Sequence, residues 1–111
     1  MRSEFIDPGA LRHEVALQNA ELTPDGLGGH ADAWTEIATV FARIEPVGEE
    51  SRFGAGQIRE TATHRFTVRY RSDITSGMRF VRGGRLFDIL TVHDPDETRR
   101  YLICRTTEKG R

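Results

Sequence analysis

Four histidines, a single cysteine, an acidic turn and three closely spaced arginines are the side chains of this 111-residue sequence that could do chemistry. His13, His30, His64 and His93 could hold a metal ion, but they stand far apart and share no ligand spacing with one another or with the cysteine. Cys104 follows Leu102 and Ile103 in an apolar run, the setting of a small buried hydrophobe and not of an activated nucleophile. Asp94, Asp96 and Glu97 could hold a cation weakly, although Pro95 and the short spacing favour a plain turn. Gly54-Ala55-Gly56 lacks the third glycine and the following helix that a phosphate-binding loop needs. Nucleophile elbows and nucleotide fingerprints are absent as well. The expectation is a protein with no catalytic, metal or cofactor residue, and not an enzyme. Arg65, Arg69 and Arg71 remain, on one face of a strand, suited to phosphates or to an acidic partner.

The elements that must position these residues are strands. Leu11, His13, Val15 and Leu17 alternate with Arg12, Glu14, Ala16 and Gln18, the period of a half-buried strand. His64, Phe66, Val68 and Tyr70 form one face of the clearest strand, and Arg65, Thr67, Arg69 and Arg71 the other. Met78 to Arg82 and Arg85 to Ile89 flank Gly83-Gly84, a pair that supplies both positive φ angles of a two-residue hairpin turn. That register opposes Phe80 to Phe87, Met78 to Ile89, Val81 to Leu86 and Arg79 to Asp88. Tyr101 to Thr106 reads as the last strand. Residues 31–46 are ambiguous: Ala33, Ile37, Val40, Phe41 and Ile44 fit a helical stripe. An extended reading with a break near Glu36 is preferred; it puts Trp34, Ala38, Val40, Ala42 and Ile44 on one face, with Pro46 as its end. Five or six short strands with regular turns and no strong helix suggest a small all-β barrel or sandwich.

Two short terminal segments and one long internal one fall outside this pattern. Residues 1–10 read as a flexible arm ending with a turn at Asp7-Pro8-Gly9, 11–107 as a single domain and 108–111 as a tail. Thr23 to Gly29 is a turn by its proline and glycines. From Val47 to Thr61 there is no period, and so long a loop in a small domain is usually functional or disordered. Phe53 and Ile58 stand out there, two apolar groups that a solvated loop does not need.

Charge and composition bound the partners. The formal net charge is −1 with 30% of residues charged, which excludes a globally basic nucleic-acid binder. Residues 1–60 carry 5 basic and 11 acidic side chains, and residues 61–111 carry 11 basic and 6 acidic. Folding either mixes the halves into one neutral surface or leaves opposite faces suited to head-to-tail stacking. A lone cysteine fits folding in a reducing cytosol, and no apolar run is long enough to span a membrane. The first five residues lack the apolar core of a signal peptide.

The order of these features resembles the head–tail joining family of tailed bacteriophages, also called head-closure or stopper proteins, including those of gene transfer agents. The matching elements are Leu11 to Gln18, Thr23 to Gly29 followed by Trp34, Ala38 to Pro46, Thr63 to Arg71, Gly77 to Phe80 with Gly84 to Ile89, and Asp94 to Leu102. No single motif is specific, but their order and spacing together are. Phe41 stands where many members have tryptophan, so an aromatic core role is expected to carry over to it. The resemblance implies a compact β-barrel of about six antiparallel strands with one long loop, and it makes residues 31–46 strand. It further implies a homo-oligomeric ring, six-fold, in the particle neck. That ring would lie between a portal-bound adaptor and a tail terminator or other tail-side protein, retaining packaged DNA and conducting it without sequence-specific binding. Assembly would take place in the host cytoplasm. An adaptor or tail-completion role is the neighbouring reading.

A small nucleic-acid-binding barrel is the alternative class. Such barrels expose stacking aromatics on a basic face, whereas Phe66 and Tyr70 alternate with Arg65, Arg69 and Arg71. The residues expected to meet partners are Glu49, Glu50, Arg52, Phe53, Ile58 and Arg59 of the long loop, with Arg65, Arg69 and Arg71 of the strand.

Overall fold

The computed structural model describes residues 6–24, 30–53 and 58–109, without the side chains of 22–32 and 49–60. A short 3-10 turn, Pro8–Ala10, precedes six strands: β1 (His13–Pro24), β2 (His30–Phe53), β3 (Ile58–Arg69), β4 (Arg79–Arg82), β5 (Arg85–His93) and β6 (Tyr101–Lys109). They close an antiparallel barrel in the order β1-β2-β3-β6-β5-β4. The expected all-β barrel of six antiparallel strands is therefore the fold observed.

The hairpin about Gly83-Gly84 follows the register read from its residues. Arg79 opposes Asp88, Phe80 opposes Phe87 and Val81 opposes Leu86, while the Ile89 amide donates to the Met78 carbonyl at 2.9 Å. Gly83 and Gly84 sit at φ +56° and +83°, where a side chain would be strained. This turn aims three of its apolar residues, Phe80, Phe87 and Ile89, into the interior. There Phe66 stacks on Phe80 at 4.6 Å and meets Phe87 edge-on at 4.9 Å. Val15, Leu17, Val68, Leu102 and Cys104 complete the fully or nearly fully buried set around them. Burial pushes the Cys104 thiol up to about 12, so the cysteine is a packing residue.

β2 is the unusual element, a strand of 24 residues. Its first half pairs with β1 and its second half with β3, and Ala42 is the only described residue registered with both, opposite His13 and Val68. The strand does not end at Pro46 as expected. Proline is tolerated there because β1 no longer flanks that part of β2 and a bulge follows immediately. The stretch 47–61, expected as an irregular loop, is mostly a ladder as well. Glu49 opposes Ala62, and pairing continues to Phe53 opposite Ile58. No third strand pairs with Glu49 to Phe53 among the described residues, and the residues there lack the alternation by which a strand is recognised.

A second two-stranded ribbon leaves from the other half of β2. Beyond Gln18 opposite Glu36, β1 and β2 pair only with each other, as far as Pro24 opposite His30. Each ribbon starts at a bulge: Ile37 is the extra residue at the first, and the register shifts between Pro46 and Glu49 at the second. The bulge at Ile37 is the expected break near Glu36, and it overturns the expectation for Trp34. An extra residue inverts the faces of a strand, so Ala38 opposes buried Leu17 while Trp34 is on the opposite face, with Gln18 and Arg79. Arg79 places its guanidinium 3.9 Å from the Trp34 ring centre and donates to the Gln18 amide oxygen at 2.7 Å.

Candidate functional site

The three strand arginines divide once their surroundings are in place. Arg65 donates from Nε to Glu45 at 3.2 Å, and Arg43 reaches the same carboxylate at 3.2 Å, giving a half-exposed cluster on the β2–β3 wall. Arg71 forms a two-pronged pair with Asp73 at 2.8 and 3.0 Å. That pairing holds the Asp73 carboxyl below its ordinary value. Arg69 is exposed and makes no hydrogen bond or ion pair with any described residue. Only Arg69 of the three offers an uncommitted charge.

Arg69 borders a surface groove of about 450 Å³. β3 ends at Arg69, and the chain then turns away, the Tyr70 amide donating to the Arg100 carbonyl at 2.9 Å. This departure leaves Thr39, Val40 and Phe41 of β2 paired on the β1 side alone and lining the groove together with Arg69, Tyr70 and Arg71. Pro8 and Leu11 line it too. The turn that carries them is held by Asp7, whose carboxylate accepts from the Gly9 amide at 2.9 Å, and by the Leu11 amide donating to the Pro8 carbonyl. The turn expected at Asp7-Pro8-Gly9 is therefore present, capped by Asp7.

Phe41 is 55% exposed in this groove, and Ile37 is 40% exposed at the bulge. The aromatic core role expected for Phe41 is therefore wrong: it occupies the odd positions of β2, which face outward while Val40, Ala42 and Ile44 pack inward. An exposed Phe beside an uncommitted Arg suits protein contact, since large aromatics and arginine are the side chains that anchor interfaces. Phe66 is wholly buried and offers no stacking surface, while half-buried Tyr70 packs against the core and lines the groove.

Of the other expected partner residues, Glu49, Glu50, Arg52, Phe53, Ile58 and Arg59 have paired backbone in the second ribbon, and their side chains lie outside the described residues. The acidic turn folds back on itself: Asp94 accepts from the Arg99 amide at 2.7 Å and Asp96 from the Thr98 hydroxyl at 2.6 Å. His64 is a packing residue, edge-on to Phe87 at 5.1 Å. Reasoning from the sequence missed the groove altogether. The available signal was Phe41 at an odd position in a strand whose even positions are apolar.

Comparison with known proteins adds the context. Residues 6–109 match the family described as phage head completion protein. A chain from the virion of a native gene transfer agent particle is 26% identical, with a TM-score of 0.65 over 86% of this chain and 92% of that one. A protein from Shigella flexneri 2a, solved in solution, shares the fold at 24% identity and a TM-score of 0.61, covering 95% of this chain and all of the other. No match is found among curated protein sequences.

Proposed function

Since the chain belongs to the phage head completion protein family, we propose that it is a structural connector in the neck of a tailed-phage or gene transfer agent particle. Copies form a ring, six-fold, that docks on a portal-bound adaptor and receives a tail terminator or other tail-side protein. The ring helps to hold packaged DNA and conducts it on release. The observation that carries this reading is the family match from residue 6 to residue 109, which takes in the whole barrel and both ribbons. Likeness to a chain of a gene transfer agent virion supports a place within the particle.

The architecture suits the task. A closed barrel is rigid and has no continuous free edge, while ribbons at opposite ends of β2 extend past it toward neighbours. Glu49, Glu50, Arg52, Phe53, Ile58 and Arg59 of the second ribbon are proposed to order against the adjoining ring, and Arg65, Arg69 and Arg71 to face protein partners. The chain is expected to stay monomeric in isolation and to assemble on the neck.

Deleting the gene in a producing strain tests the reading. DNA-filled heads that leak their genome or remain tailless, rescued by the gene in trans, are the expected result. Normal tailed particles from the deletion strain would end the proposal. Sedimentation of the pure protein at micromolar concentration checks the monomer; a stable ring in solution would contradict that part.

A further inference from the structure

Three features remain unexplained by a connector role as such: the groove with exposed Phe41, the uncommitted Arg69, and an acidic first ribbon. From His13 to Ala42 the sequence holds five acids, Glu14, Glu21, Asp25, Asp32 and Glu36, and neither lysine nor arginine. Around the groove stand Arg69 and Arg71, the latter paired with Asp73, with Glu14 opposite Phe41; Arg99 and Arg100 lie nearby on a turn that also carries Asp94, Asp96 and Glu97. The first ribbon thus carries acids and no lysine or arginine, while beside the groove Arg69 has no partner among the described residues.

The first ribbon has the form of an inserted element. Asn19 and Glu21 of β1 share a face with Ala33 and Thr35 of β2, and all four are exposed. This face continues the inner wall of the barrel past the point where the barrel stops, and no described residue covers it. Its side chains are small except for one carboxylate. From Asn19 to Pro24 it extends about 20 Å beyond the last residue paired to β4. A two-stranded ribbon by itself is marginal in water and gains stability when it packs on something.

We infer that the acidic β1–β2 ribbon of one copy lies in the Phe41–Arg69 groove of the next, so that the chain assembles head to tail with itself. Glu21 pairs with Arg69, the Phe41 ring packs on the small side chains of Ala33 and Thr35, and the backbone edge of β2 at Thr39 to Phe41 is covered. A contact between two different patches on identical chains is heterologous, and it generates a ring when the rotation closes. The inference rests on the ring proposed above and names the surfaces that make it.

Cross-linking in purified particles tests it. Cys104 is buried and its thiol protonated, so it does not compete for thiol reagents. A chain carrying both Glu21→Cys and Arg69→Cys, treated with a short bismaleimide, is expected to give a ladder of multimers beyond the dimer. Each single variant should stay monomeric. In a second readout, Arg69→Glu or Glu21→Arg alone lowers incorporation into particles about tenfold, and the two together recover most of it. Particles that contain the double-cysteine chain without a ladder would overturn the inference and leave the connector role intact. A double charge exchange no better than either single change would also overturn it. If particles lack the chain altogether, the connector role fails, and the same cross-linking of the concentrated pure chain decides the contact; no ladder there rejects it.

Discussion

At Ala42, strand β2 has a neighbour on each side and no exposure to solvent; at Glu49 to Phe53 the same strand pairs, among the described residues, with β3 alone. The backbone conformation is extended in both places, but the energetics differ. In the barrel each residue is fixed by ladders and by a face packed on Phe66, Phe80 and Phe87. Among the described residues one ladder holds each ribbon, joined in the first by the contact of Arg79 with Trp34. Stability is thus concentrated in the barrel, and the ribbons and the groove are left available for contacts with other chains. A connector needs that division, because a partner can order a ribbon without having to reshape the core.

The largest effect that could break this comparison lies in the core. Phe87→Ala or Phe80→Ala is expected to cost about 3–5 kcal/mol in urea unfolding, a large share of the stability of so small a domain. A loss below about 1 kcal/mol would show that the barrel is not where the stability resides. Next comes the second ribbon. Replacing residues 49–61 by a short glycine-containing turn should cost about 1 kcal/mol or less while abolishing particle assembly. Native-state hydrogen exchange should agree, with the amides of 49–53 and 58–61 exchanging well before those of Phe66 and Val68. Equal protection in both regions would erase the distinction.

A smaller effect concerns His64, which packs at the boundary between the two regions. Burial lowers its pKa below the ordinary 6.5, with Glu108 opposing and Arg85 assisting. The unfolded chain therefore takes up this proton at a higher pH than the folded one. Its contribution to stability is fully present above pH 6.5 and is lost as pH falls through the lower, folded value. His64→Gln should flatten that part of the pH–stability curve, and an unchanged slope would assign it to other groups. Smallest of all should be Arg69→Glu and Phe41→Ser. Each is expected to shift unfolding by no more than about 0.5 kcal/mol, since both side chains are exposed. A larger loss would make the groove part of the folding core.

What could be read from the residues themselves was every place where one side of a strand is buried. Phe66, Val68, Phe80, Phe87 and Ile89 stand on a strand face or in hairpin pairs read from the residues, and with Leu102 they share one core. The alternation that marks such strands exists because water imposes it, apolar groups inward and polar groups outward. Gly83-Gly84 was equally legible, since few other pairs accept two positive φ angles. Tertiary structure alone decided the rest. Ladder hydrogen bonds are made by the backbone of any sequence, so the ribbon from Glu49 to Thr61 forms without a periodic mark in its residues. The extra residue at Ile37 turns Trp34 to the opposite face without altering the local pattern, because a bulge is a relation between two strands. Phe41 is exposed and Arg69 uncommitted because β3 ends where it does, opposite the middle of a strand that continues beyond it. That position is set by how staggered strands close a barrel, a property of all six together and of no segment alone.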